Sequence, residues 1–212
     1  MMNPHQWKPK LNKEFVMAVI IGTAGADYLP GTAGDDSIVG LQGNDEIYGG
    51  GGDDWIYADD GNDYADGGWG RDRVYGNNGN DTLLGGGTAS GLSNADTLYG
   101  GSGDDLYYHD FALGGITVVD DLSGNEFNNF DFLYMVNATS LTVTWGDDRS
   151  TFYIYQSGEL SDGSFDNGIM IRGMLTNLGN DGVGTIEGAA INGSLVSGWS
   201  ALAHSSWNSL FT

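Results

Sequence analysis

The chain has 212 residues and a formal charge of −22, from 29 acidic against 7 basic residues, and it contains no cysteine. That balance argues against nucleic acid and anionic membranes as partners, since both select cationic surfaces, and the absent thiols exclude disulfides, thiolate metal sites and a cysteine nucleophile. No apolar run reaches the roughly 18 residues of a spanning helix, so membrane insertion is not expected.

Residues 1–16 are polar and mildly basic, carry Pro4 and Pro9, and place their few apolar residues too late for a cleavable leader. They read as an arm that docks on its own body or on a neighbour, and export must then use another route. Ala18–Ile21 reads as a strand, so residues 1–21 form an N-terminal arm and capping strand.

From Gly22 to Tyr108 one nine-residue unit recurs, G-G-x-G-x-D-x-(apolar)-x. Asp27, Asp36, Asp45, Asp54, Asp63, Asp72 and Asp81 follow one another at nine-residue spacing, and Asp96 and Asp105 continue the phase after six inserted residues. Two positions after each aspartate stands Leu29, Ile38, Ile47, Ile56, Ala65, Val74, Leu83, Leu98 or Tyr107. Two positions before it stands a glycine in eight of nine copies, so chance does not account for the register. A short fixed period means stacked units that bury a core only against each other. The last three positions of each unit suit a short strand with the eighth residue facing inward, and the glycine-rich first six suit a turn. Two units make one coil, with a strand on each of two faces. The insertion, Gly87 to Leu92, should bulge as a loop and leave the phase intact. In the fifth copy, Ala58 and Asp59 replace the first two glycines, which predicts a distorted turn.

After His109 the repeat stops. Ile116–Val119, Phe130–Val136, Leu141–Trp145, Thr151–Tyr155 and Ile169–Ile171 read as strands. The alternation from Leu141 to Trp145 and the turn at 146–150 predict a hairpin with 151–155. The expected fold is all-β: a parallel β-roll over 22–108, followed over 109–212 by a small, mainly antiparallel β-domain that caps it. The serine-rich end of the chain gives no clear secondary structure.

Calcium takes six to eight oxygen ligands from carboxylates and backbone carbonyls. A glycine-rich turn turns carbonyls inward and its aspartate adds a charged oxygen, but one turn is half a cage. Because two units make a coil, turns two units apart stack on one edge and an ion between them bridges two aspartates. The expected pairs are Asp27/Asp45, Asp45/Asp63 and Asp63/Asp81 on one edge and Asp36/Asp54 and Asp54/Asp72 on the other. Those five sites come from uninterrupted repeats; Asp72/Asp96 and Asp81/Asp105 follow the same rule less directly, because the insertion lies between their members. The metal candidates are thus Asp27, Asp36, Asp45, Asp54, Asp63, Asp72, Asp81, Asp96 and Asp105, binding several Ca2+ ions.

This pattern resembles the RTX or haemolysin-type calcium-binding repeats, which form a parallel β-roll with calcium between successive turns. Residues 118–134 look like the segment that follows the roll in that family, and 162–174 with 186–193 are similar to the haemolysin-type calcium-binding related domain. The resemblance implies export by type I secretion machinery through an uncleaved C-terminal signal, which the final residues NSLFT loosely fit, and folding outside the cell as calcium binds. It also implies that Asp121 and Asp131 close a site at the last coil; as residues alone they read as surface acids.

On the face built by even copies, Trp55, Arg73 and Thr97 alternate with Val39, Tyr57, Tyr75 and Tyr99. This column reads as a face covered by the C-terminal half or as ordinary strand aromatics, with stacking on an extracellular glycan or on another subunit as the alternative. His5, His109 and His204 lie at no metal-ligand or triad spacing, and Ser205 and Ser206 beside His204 are only sequence neighbours. Asp120/Asp121 and Asp147/Asp148 sit at turns, where aspartate is favoured. No catalytic set emerges. The expectation is a secreted or cell-surface, non-enzymatic, calcium-dependent structural protein that self-associates, with a glycan-binding or adhesion module, or an accessory module of a separate enzyme, as the alternatives. An ice-binding solenoid would need a regular outward threonine array, which the repeats lack.

Overall fold

A computed structural model describes residues 17–87, 91–120, 131–145, 151–156, 167–172 and 186–195. The expectations for the arm 1–16, for Asp121, for the turn 146–150, for 162–166 and 173–174, for His5 and His204 and for the chain end lie outside these residues. The strands, in chain order, are β1 Val19–Ile21, β2 Tyr28–Thr32, β3 Ser37–Val39, β4 Glu46–Gly51, β5 Trp55–Asp60, β6 Tyr64–Trp69, β7 Arg73–Asn78, β8 Thr82–Leu84, β9 Asp96–Ser102, β10 Leu106–Asp110, β11 Gly115–Val119, β12 Asp131–Val136, β13 Leu141–Trp145, β14 Phe152–Gln156, β15 Asn167–Ile171, β16 Ile186–Ile191 and β17 Ser194–Leu195.

They form two sheets that wind side by side. The nine-stranded sheet runs β1-β3-β5-β7-β9-β11-β15-β14-β13 and the eight-stranded sheet β2-β4-β6-β8-β10-β12-β16-β17. Successive coils pair in parallel, for example Ile38↔Ile56 and Ile56↔Val74, so equivalent repeat positions stack directly. The fold is therefore the parallel β-solenoid the period calls for. Several strands exceed the three residues expected, because they run on into the first positions of the next unit, as in the seven-residue β9.

Every eighth-position residue from Leu29 to Tyr107 is buried, and the same core continues through Leu133, Ile154, Ile169 and Ala189. The change of composition at residue 109 is thus not a break in the sheets: β11 pairs in parallel with β9, and β12 with β10. The antiparallel pairs come at the far end, where β13 and β14 form the expected hairpin, β14 joins β15, and β16 joins β17. Because Ile56 is fully buried between fixed neighbours, Ile56→Ala is expected to lower unfolding free energy in calcium by about 3 kcal/mol, measured by denaturant titration. A change under about 1 kcal/mol would show that the row of core side chains is loosely held.

The turn of the fifth copy is not distorted. Asp59 adopts φ 74°, the same left-handed conformation as Leu41 (79°) and Asn77 (74°) at equivalent positions, and Gly50, Gly68, Gly86 and Gly101 share it. Aspartate and asparagine tolerate this region better than most residues, so the substitution is absorbed. The insertion keeps the phase as expected: Arg73 and Val74 pair with Thr97 and Leu98 across it.

Candidate metal centre

The sixth-position aspartates point inward at the corners between the sheets, and those from Asp36 to Asp105 are all buried. They form two continuous ladders. On one edge the amide of Asp27 donates to Asp45 Oδ1, that of Asp45 to Asp63, that of Asp63 to Asp81 and that of Asp81 to Asp105, at 2.7–2.9 Å. On the other, the Asp36 amide donates to Asp54, Asp54 to Asp72 and Asp72 to Asp96, also at 2.7–2.9 Å. All the predicted pairs are therefore brought together, including the two that span the insertion. The insertion does not separate these two pairs, because the strands on either side of it stay in register.

Each rung spends only one carboxylate oxygen in this way. Oδ2 of Asp45, Asp54, Asp63, Asp72 and Asp81 is buried without a hydrogen-bond partner, an arrangement that is costly for a carboxylate. The space beside it is kept open by glycine: a Cβ on Gly67 would lie 2.7 Å from Asp72 Oδ2 and 2.8 Å from the Gly85 carbonyl oxygen. An open acceptor thus faces further oxygens across a gap that any side chain would fill. Burial pushes the carboxyls of Asp54, Asp72 and Asp81 up to about 7, Asp63 to about 6 and Asp96 to about 8, against the opposing pull of the amide each accepts, and neighbouring carboxylates add to the rise.

Among the described residues, no group of three or more His, Cys, Asp or Glu side chains converges to hold a metal. The donors on offer are instead stacked carboxylates with turn carbonyls, all of them oxygen. That set suits a hard cation that accepts backbone oxygens, which is calcium rather than a transition metal.

The first rung on each edge differs. Asp27 Oδ2 accepts the Thr23 N–H at 2.5 Å and its hydroxyl at 2.9 Å, and Asp36 Oδ2 accepts the Thr32 N–H at 2.6 Å, with the Thr32 hydroxyl donating to Oδ1. Threonine stands here at the position that is left-handed in the later copies. Being β-branched it resists that conformation, and it turns its own donors to the aspartate instead.

One feature was legible only through the family resemblance, and two went unread in the sequence. Asp131 is buried and its Oδ1 accepts the Asp105 amide at 2.9 Å, so the surface-acid reading fails and the ladder extends one coil past the last nonapeptide. A second, outer ladder runs along position five, with the Asn62 amide on Asn44, Asn80 on Asn62 and Asp104 on Asn80, and with Asp53 on Asp35 and Arg71 on Asp53 across the roll. Its signal was the run of Asp and Asn at that position. Third, the odd-copy sheet carries its own aromatic row, Tyr28, Tyr48 and Tyr64.

On the even-copy sheet, Tyr57 stacks on Tyr75 at 4.9 Å and 7°, and Tyr75 on Tyr99 at 4.5 Å and 2°. Trp55 is 43% exposed with Arg73 lying 4.8 Å over its ring. In this column Tyr75 is stacked on both faces, by Tyr57 and by Tyr99.

No curated protein matches the sequence. The RTX calcium-binding nonapeptide repeat family matches in four copies, over residues 19–46, 30–65, 66–89 and 85–111. Among solved structures, the solution structure of the AlgE6R3 subunit from the Azotobacter vinelandii mannuronan C5-epimerase is similar, with 25% identity over 80% of this chain and 90% of that one and a TM-score of 0.26.

Proposed function

We propose, from the match of residues 19–111 to the RTX calcium-binding nonapeptide repeat family, that the chain is a secreted structural protein that folds as calcium enters the gaps between its coils. The open Oδ2 row of Asp45, Asp54, Asp63, Asp72 and Asp81, facing glycine turns, carries this reading. Those oxygens, with Asp96 and Asp105 and the turn carbonyls, hold the ions; Asp27 and Asp36 close the first gap on each edge. Bound calcium supplies the positive charge that lets the ladder stay ionised while buried. Because the cage is complete only between stacked coils, binding energy becomes folding energy. Weak extracellular-type sites, at about 10⁻⁴ to 10⁻³ M, leave the chain unfolded inside the cell and folded outside it, which suits passage through type I secretion machinery.

The role proposed is structural; His109, the one histidine among the described residues, is 1% exposed, and burial lowers its imidazole to about 4. No substrate reaches it. The glycan-binding alternative would need an open aromatic face for a sugar ring to stack on; both faces of Tyr75 are covered by Tyr57 and Tyr99, and Tyr28, Trp55 and Trp69 are the exposed aromatics among the described residues of the roll. Self-association at the cell surface or in the matrix is the role proposed, and electron microscopy with light scattering tests it. Assemblies are expected in calcium and not in chelator. Monodisperse monomers under both conditions would end the self-association claim.

A further inference from the structure

The two edges of the roll end differently. On the edge of Asp36, Asp54, Asp72 and Asp96, the next strand, β11, sets Thr117 in register with Asp96, and Thr117 is buried in the same inward position. The first-position column beside this edge runs Gly49, Gly67, Gly85 and then His109. Tyr108 pairs with Leu84 and Asp66 also pairs with Leu84, so one residue on, Gly67, Gly85 and His109 stand in line. The rung after Asp96 therefore changes both of its members together: carboxylate becomes hydroxyl, and glycine becomes histidine.

The two changes need each other. A Cβ on Gly67 or Gly85 would lie 2.7 Å from the Oδ2 of Asp72 or Asp96, so no side chain fits there while the carboxylate is present. At the last rung the imidazole fits, with His109 Nδ1 2.9 Å from Thr117 Oγ1. The Phe111 ring meets it edge-on at 4.6 Å, and Asn167, on the strand beyond, donates to the Phe111 carbonyl at 3.0 Å. Asp110 turns its Oδ1 away, to the Ala112 amide and the Asn137 side chain.

We infer that His109 and Thr117 form a metal-free rung that closes the ion column on this edge. The imidazole fills the space that glycine leaves open between the other coils, and the hydroxyl removes the charge that calls for an ion. The opposite edge is not closed in this way, since it continues from Asp105 to Asp131. The column of Asp36, Asp54, Asp72 and Asp96 thus stops at Asp96 by construction, and the strands beyond it on that edge hold together without calcium.

This inference rests on the calcium reading, and one experiment separates the two. Bound calcium per chain is counted by equilibrium dialysis and atomic emission for the full chain, for the double exchange His109→Gly with Thr117→Asp, and for Thr117→Ala and His109→Gln singly. The double exchange recreates a glycine and an aspartate, so it is expected to take up one additional ion while keeping its β-type circular dichroism. Each single variant is expected to bind as many ions as the parent. A folded double variant with an unchanged count, or a single variant that loses an ion, overturns the inference. Should the double variant fail to fold, the single variants still decide it. A parent chain that binds no calcium overturns the calcium reading itself.

Discussion

Asp63→Ala is expected to raise the calcium concentration needed for folding by roughly tenfold or more, whereas Asp27→Ala shifts it only a few-fold. Asp63 is 3% exposed and lies inside its ladder, accepting the Asp45 amide at 2.7 Å and donating its own to Asp81 at 2.8 Å. Its removal strips a carboxylate from two gaps at once and leaves the Asp45 amide without its acceptor. A lost charge-assisted hydrogen bond alone costs about 1.5–3 kcal/mol, and about 1.4 kcal/mol is a factor of ten. Asp27 borders one gap, is only partly buried, and has Oδ2 already satisfied by Thr23. The midpoint of calcium-dependent folding, followed by circular dichroism, reads the difference. Equal shifts for the two variants would contradict ions shared between successive coils.

The second large effect is that acid replaces calcium. Burial raises the ladder carboxyls from 3.8 to between about 6 and about 8, the latter at Asp96. In the unfolded chain the same groups titrate near their ordinary value, so without calcium the folded state binds more protons than the unfolded one. Stability then falls as pH rises. The penalty is absent below about pH 4, where both states are protonated, and is complete above the folded values near 6 to 8. Chelated protein at low concentration is therefore expected to be unfolded at pH 8 and to gain β-structure on acidification to about pH 5. In calcium the sign reverses for the ion: protons compete for the same oxygens, and affinity falls through the same window. Chelated chain that stays unfolded at pH 5 would show that charge on the ladder is not what opposes the fold.

Much of this architecture is legible in a period of nine. The inward residues from Leu29 to Tyr107, the two-sheet winding and the stacking of aspartates two units apart all follow from repetition, because equivalent positions must meet when coils stack. What escaped notice breaks the repeat or depends on one side chain. Thr23 and Thr32 look like neutral substitutions at a variable position, yet they cap the first two aspartates. Asp131 lacks the glycines of the motif, so its residues alone read as surface and only the family resemblance placed it at the last coil, although its register with Asp105 depends only on β12 pairing with β10. His109 and Thr117 are eight residues apart, at no spacing that marks a site, and only the coil brings them together. The insertion leaves the pairs across it intact for a related reason. A loop that leaves between β8 and β9 changes the length of one coil and not the pairing of the strands that carry Asp72, Asp81, Asp96 and Asp105.

The account turns on calcium being part of the fold, and a calcium titration of the full chain at neutral pH, followed by far-ultraviolet circular dichroism, tests this most directly. A coil-like spectrum in chelator that converts cooperatively to a β-spectrum as calcium is added is the predicted result. A β-spectrum already complete in chelator at neutral pH and unchanged by calcium would contradict it.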